Sequence, residues 1–291
     1  MVDSIKALLD GIFDYAGLFP PAALPMDQAV AEYLRHREGS ESHLLNKFVC
    51  PINWLDDFWQ AVQTTAPDSE WEIAVLGTSL EGVRQDQSVI QSFLSGSHGR
   101  VCVGGYEIKA QPKDISSTTL KPLQSCGFDD VFIELPWTSG MDDALHAIAE
   151  LDGIGAKARV GGLDAAAYPS VELVAGFIQE CVNLDLSFKL TAGLHHPLRH
   201  KHPTIDAFEH GFLNVLMAAV FAHSQDLNKK EIGWILSQSN LSEFSAESDE
   251  VIWGEWEATT EDIHDARESF KGIGSCSIAE PVADLTALKL W

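Results

Sequence analysis

Long apolar runs are missing from this chain. No stretch of about 18 apolar residues occurs in its 291 residues, so no membrane-spanning helix is expected. Basic residues are scarce. Seven arginines and twelve lysines stand against 43 acidic residues, for a formal net charge of −24. Such a surface repels nucleic acid and anionic membrane, which are held through Lys and Arg contacts, so neither is an expected partner. Cysteine is sparse as well. Cys50, Cys102, Cys126, Cys181 and Cys276 are odd in number, widely spaced, and form no Cys-x-x-Cys pair. That argues against a disulfide framework or zinc knuckle and makes a reducing cytoplasm the expected compartment. The first residues, MVDSIKALLDGIFDYAG, lack a basic head and a small-residue cleavage site, so they do not read as a signal peptide. No low-complexity tract or Pro/Ser-rich linker divides the chain, and a single domain over 1–291 is expected.

What is present is an alternation. Short apolar runs end in Gly, Pro or polar residues, and a helical pattern follows each. The runs are GIFDYAGLF (11–19), NKFVCP (46–51), EIAVLG (72–77), RVCVGGYEI (100–108), DVFIELP (130–136), AKARVGG (156–162), SFKLTAG (187–193) and FKGIGSCS (270–277). They are apolar throughout, as strands buried on both faces should be. Asp114 and Ser139 are the expected caps of the helices that follow them. Gly127 and Gly153 fall where helices should stop. Eight strand–helix units predict an α/β fold, a TIM-like (β/α)8 barrel. A doubly wound open sheet is the alternative, opposed by the absence of GxGxxG after the first strand. An irregular insertion, helical and acidic, is expected before the last strand at about 204–269. It holds an apolar helix (211–223), an amphipathic helix (228–238) and an acidic stretch (245–269) in which VIWGEW fits a short extra strand. Trp253 and Trp256 there suit a lid or a subunit contact, which leaves a homo-oligomer open.

Barrel chemistry sits at the C-terminal ends of the strands. Strand side chains alternate. Lys157 and Arg159 share one phase of the sixth strand, and Lys189 and Thr191 share one phase of the seventh. The other phase is apolar and suits the surrounding helices, so the charged phase should face the axis. Buried cations need partners. Glu107, Glu134 and Asp14 are available on other strands, and Lys47 joins the lining. The network is either functional or a polar filling. Apolar residues would often serve stability as well. Desolvation and neighbouring cations are expected to lower a lysine pKa, which would make Lys189 or Lys157 a nucleophile toward carbonyls.

The segments AKARVGG and FKLTAGL resemble Schiff-base aldolases of the deoxyribose-phosphate aldolase type. The resemblance implies one imine-forming lysine, a second that lowers its pKa, and no cofactor. The chain departs from that pattern at HHPLRH. Basic residues with two acidic ones around a barrel mouth also resemble the quinolinate/nicotinate phosphoribosyltransferase barrels. The pattern from KARVGG through KLTAGLHHP to GSCS-x-x-EP is similar to a set of uncharacterised bacterial and plant barrel proteins, which implies no activity.

The segment KLTAGLHHPLRHKH (189–202) packs four histidines into an acidic chain. His195 and His196 follow the seventh strand and suit acid/base work or an anionic substrate. They also suit a divalent metal such as zinc, with Glu134 and Asp14 as further ligands. The spacing matches no firm zinc pattern. Arg199 suits a carboxylate or phosphate. His200 and His202, farther from the strand end, read as solvent-facing. Gly274 and Ser275 precede the last helix, where Ser277 and Glu280 read as a capping box, and suit an anion site. Cys276 reads as a packed thiol. The expected function is an enzyme acting on a small anionic metabolite, a Schiff-base lyase using Lys189 or Lys157. Glu134 and His195 would move protons, and Arg159, Arg199, Glu107, His196 and Asp14 would line the substrate site. A metal-dependent hydrolase or lyase and a non-catalytic ligand- or partner-binding barrel are the alternatives.

Overall fold

The computed structural model describes all 291 residues. Eight parallel strands close into a barrel: β1 (Phe13–Tyr15), β2 (Leu45–Pro51), β3 (Trp71–Leu76), β4 (Val101–Lys109), β5 (Asp130–Leu135), β6 (Ile154–Arg159), β7 (Phe188–Thr191) and, last in the chain, β13 (Phe270–Ser275). Between β7 and β13 run five short strands: β8 (His200–Lys201), β9 (Phe208–Glu209), β10 (Phe244–Ala246), β11 (Glu250–Trp253) and β12 (Trp256–Thr259). The helices are α1 (Asp3–Leu9), α2 (Met26–Arg37), α3 (Leu55–Thr65), α4 (Val83–Gly96), α5 (Ser117–Gln124), α6 (Met141–Ala149), α7 (Val171–Asn183), α8 (Phe212–Gln225), α9 (Lys229–Ser237), α10 (Thr260–Ser269) and α11 (Ala279–Ala287). This is the TIM-like α/β architecture. No helix is long and apolar enough to cross a membrane.

The strands form because their outward residues are large and apolar. Phe48, Phe58 and Trp71 meet under Tyr33, and Phe188 packs between Phe177 and Phe270. The axis is different. Asp14, Lys47, Glu107, Glu134, Lys157 and Lys189 are all buried, so the alternation places charge inside, as expected. Glu134 pairs in register with Lys157, and Lys157 with Lys189.

Two caps differ from expectation. Ser116, not Asp114, caps α5, because its hydroxyl accepts from Thr119 N–H and Thr119 bonds back. Gly140, not Ser139, precedes α6, in a left-handed conformation with no side-chain cap. Gly127 and Gly153 both have positive φ in the turns after α5 and α6. Residues Phe212 to Ala222 of α8 are all buried, and Phe212 meets Phe13 of β1 at 5.4 Å, so this helix belongs to the barrel wall. The acidic stretch folds as an antiparallel sheet, β10–β11–β12, rather than one extra strand. The sheet lies away from the strands' C-terminal ends. Gln225, at the far end of α8, donates to Glu257 O, while the start of α8 meets the loop after β7. Trp253 is fully buried against Phe244, and Trp256 packs on Trp234, so both tryptophans seat this sheet rather than covering the mouth.

Candidate active site

The barrel axis carries a chain of ion pairs. Lys157 Nζ donates to Glu107 Oε2 at 2.6 Å and lies 2.9 Å from Glu134 Oε2. Lys189 Nζ donates to the other oxygen of the same carboxylate, Glu107 Oε1, at 2.8 Å, and to Asp14. Lys47 is turned the other way, to Asp130 at 3.0 Å and Glu72 at 3.5 Å. Both axial lysines and Glu107 are almost fully buried. Burial alone would push the lysines toward the neutral amine. Asp14 and Glu107 outweigh it at Lys189, and Glu107 and Glu134 do so at Lys157, so both pKa values are raised. The expected lowering is therefore corrected: the cations sit next to one another, but each is bracketed by two carboxylates. Burial pushes Glu107 up in turn, yet Lys157 and Lys189 overcome it and hold its carboxyl at about 2.

Above this layer lies the mouth. Thr191 faces the axis at the end of β7, and its buried hydroxyl has no protein partner. Arg159 ends β6, is exposed, and pairs in register with Thr191, with its charge felt by Glu134. The chain turns sharply here. Ala192 and Gly193 both have positive φ, at 65° and 69°. A Cβ on Gly161 would come within 2.6 Å of Gly193 Cα, so the loops after β6 and β7 touch backbone to backbone. A left-handed alanine at a strand end is the kind of local strain that persists where the surroundings fix it.

The histidine loop is held by α8. The carbonyls of His196 and Pro197 accept from Phe212 and Leu213 N–H, occupying donors that the helix start leaves free. Asn214, fully buried, accepts from Arg199 N–H at 2.8 Å and donates to the carbonyls of Ile235 and Gln238 at 2.8 and 3.0 Å. The chain then makes a hairpin in which His200 stands opposite Glu209 and Lys201 opposite Phe208. One face carries His200, His202 and the buried Glu209. His200 Nε2 and His202 Nε2 each lie 3.3 Å from a different oxygen of Glu209. Neither histidine is the free solvent-facing group expected of it. The other face carries Phe208, with Arg199 stacked on it at 4.0 Å. Arg199 is thus turned away from the Glu209 face, and the structure does not bring it to the axis.

His195 and His196 diverge. His196 Nδ1 donates to Asp284 at 2.6 Å, and its ring meets that of His200 edge to face, with centroids 4.4 Å apart. His195 Nδ1 lies 3.3 Å from Glu280. Burial lowers the His195 pKa against the opposing pull of Glu280. Cys276 Sγ is 3.9 Å from both ring nitrogens of His195, so it faces neither lone pair squarely. Burial raises its pKa, in keeping with a packed thiol. Ser277 Oγ accepts from Glu280 N–H at 3.3 Å, but Glu280 spends its carboxylate on His195 instead of completing the capping box. Ser275 is buried and donates to Ser277 O at 2.7 Å, and Gly274 faces Thr191, so neither presents an open anion cradle.

The ligand set His195, His196, Glu134 and Asp14 is not brought together, because both carboxylates are tied to lysines. His196 is grouped instead with His200 and Glu209, whose candidate ligand atoms all lie within 4.8 Å of one another. Glu209, Asp284 and Glu280 went unnoticed in the sequence as partners of the histidines, as did Asn214 as the mooring of Arg199. The alternation in HKH and FEH is the one signal that could have revealed Glu209. The chain matches no known protein-family model and no curated protein.

Proposed function

We propose that this chain is an enzyme acting on a small carboxylated or phosphorylated metabolite at the C-terminal mouth of its barrel. Its reaction is of the lyase type, run by proton transfer, with Lys157 and Lys189 serving as fixed ammonium groups. The observation that carries this reading is the pair of lysines sharing Glu107 on the axis below the mouth. Apolar residues often fill a buried site with no loss of stability, so a charged axis fits a chemical task. One group above it is free to meet an anion, the exposed Arg159 guanidinium; the Thr191 hydroxyl beside it is enclosed, without a protein partner. A protonated lysine beside a bound carbonyl stabilises negative charge developing on its oxygen. Glu134 or Asp14 exchanges the proton, and His195, whose pKa burial lowers, accepts one at the rim.

The imine form of the same reaction class needs a neutral Lys157 or Lys189. The bracketing carboxylates oppose it. Borohydride reduction in the presence of a panel of aldehydes and 2-oxo acids separates the two forms by intact mass. The ammonium form predicts no adduct on either lysine. A reduced adduct mapped to Lys157 or Lys189 would restore the imine form.

A further inference from the structure

The loop and hairpin after β7 bring one ligand atom each of His196, His200 and Glu209 within 4.8 Å of one another, and the histidine tautomers are set from behind. His196 Nδ1 faces a carboxylate, Asp284, which only accepts, so Nδ1 carries the proton and Nε2 is bare. His200 Nδ1 faces the Leu198 carbonyl at 3.2 Å, which fixes the same tautomer and leaves its Nε2 bare as well. His202 has the opposite tautomer. Its Nδ1 accepts from the N–H groups of Thr204 and Ile205 at 3.1 and 2.9 Å, so its Nε2 carries the proton and lies 3.3 Å from Glu209 Oε1. Tyr168 OH, 3.3 Å away, reaches the same oxygen. Glu209 Oε1 thus faces His202 and Tyr168, and its Oε2 faces His200.

The result is a conflict that a cation resolves. With the His200 proton on Nδ1, its bare Nε2 lies 3.3 Å from Glu209 Oε2, two acceptors side by side. Something positive must lie between them, either a second proton on His200 or a metal ion. A tetrahedral ion with bonds of about 2.1 Å spaces its donors by about 3.4 Å, close to this separation. His196 brings a second ring nitrogen within 4.8 Å of these atoms, completing a two-nitrogen, one-oxygen set, and its ring already meets that of His200. Orientation of ligating histidines by a carboxylate or a carbonyl on the far ring nitrogen is what metal sites require.

We propose that His196, His200 and Glu209 bind one divalent transition-metal ion, of which zinc suits the donors best, with a fourth position left for water or a substrate oxygen. His195 is not part of the cluster, and its Nδ1 faces Glu280. Three protein donors with an open position, on the loop after a barrel strand, is the geometry of a catalytic rather than a structural ion. The inference stands apart from the reaction proposed above, because binding of the ion alone is read without substrate or turnover.

The test uses the full chain, stripped of metal and then titrated separately with Zn2+, Co2+ and Mn2+ by calorimetry, followed by desalting and elemental analysis. The wild type is expected to retain one zinc or cobalt per chain, with the cobalt form showing the visible absorption of a tetrahedral site. Glu209→Gln and His200→Ala should retain none, and Asp284→Asn should bind about 10-fold or more weakly. Circular dichroism melts establish that the variants are folded. Glu209→Gln is isosteric, so its loss of binding is not a loss of fold. Failure of the wild type to retain any of the three ions overturns the proposal. So does equal retention by Glu209→Gln. A proton-coupled NMR titration showing His200 still doubly protonated at saturating zinc overturns it too.

Discussion

Lys157 and Lys189 are register partners on neighbouring strands, and both point at one carboxylate, Glu107, from 2.6 and 2.8 Å. Two ammonium groups that would repel each other in a dry barrel are thus joined through the anion between them. The outer carboxylates of Glu134 and Asp14 close the chain on either side.

The shared carboxylate is therefore the weakest point at which to cut. Glu107→Gln leaves two buried lysines with one anion each. Breaking a buried ion pair by removing one partner costs about 3–5 kcal/mol. Urea unfolding of the variant should show a loss of that order with little change in slope. A loss below about 1 kcal/mol would mean that water already screens the axis.

The same network sets the pH window. Glu107 is depressed from 4.5 to about 2, so its contribution is complete above pH 4.5 and is lost as pH falls toward 2. Lys157 and Lys189 are raised, so theirs is complete below their ordinary value of 10.5 and is lost only on the alkaline side. Melting temperature should hold between these limits and fall below pH 4.5. In Glu107→Gln the acid slope should flatten. An unchanged acid slope would assign it to other carboxylates.

Asn214 moors the histidine loop to α8 and α9 through three hydrogen bonds. Asn214→Ala should cost about 2–3 kcal/mol, since it strands buried backbone groups. Hydrogen exchange should rise at Arg199 and in the hairpin of β8 and β9 before it rises in the barrel strands. Uniform acceleration across the molecule would contradict a local mooring role.

The barrel is legible in the sequence because its strands are buried on both faces, so that runs such as NKFVCP and DVFIELP stay apolar along their length. The charged phase of AKARVGG and FKLTAG is legible for the converse reason: cations in an apolar run have only the axis to face. The lysine pKa direction was not, because it depends on how many carboxylates reach each ammonium, and spacing along the chain does not give that. The hairpin was hidden by its brevity. Two-residue strands are too short for alternation to register, and the loop from His202 to Ala207 separates Glu209 from the histidines it meets. Ser116 displaced Asp114 as a cap because its hydroxyl and that of Thr119 satisfy each other.

The central claim is that the mouth above the lysine pair receives an anion, and ligand-induced stabilisation tests it most directly. Thermal melts of the wild type should rise with some members of a panel of 2-oxo acids, hydroxy acids and sugar phosphates, and not with their neutral analogues. Arg159→Ala, a change at an exposed position, should keep the unliganded melting temperature and lose that rise. A panel in which no anion stabilises the wild type, or in which anions stabilise Arg159→Ala equally, would contradict the account.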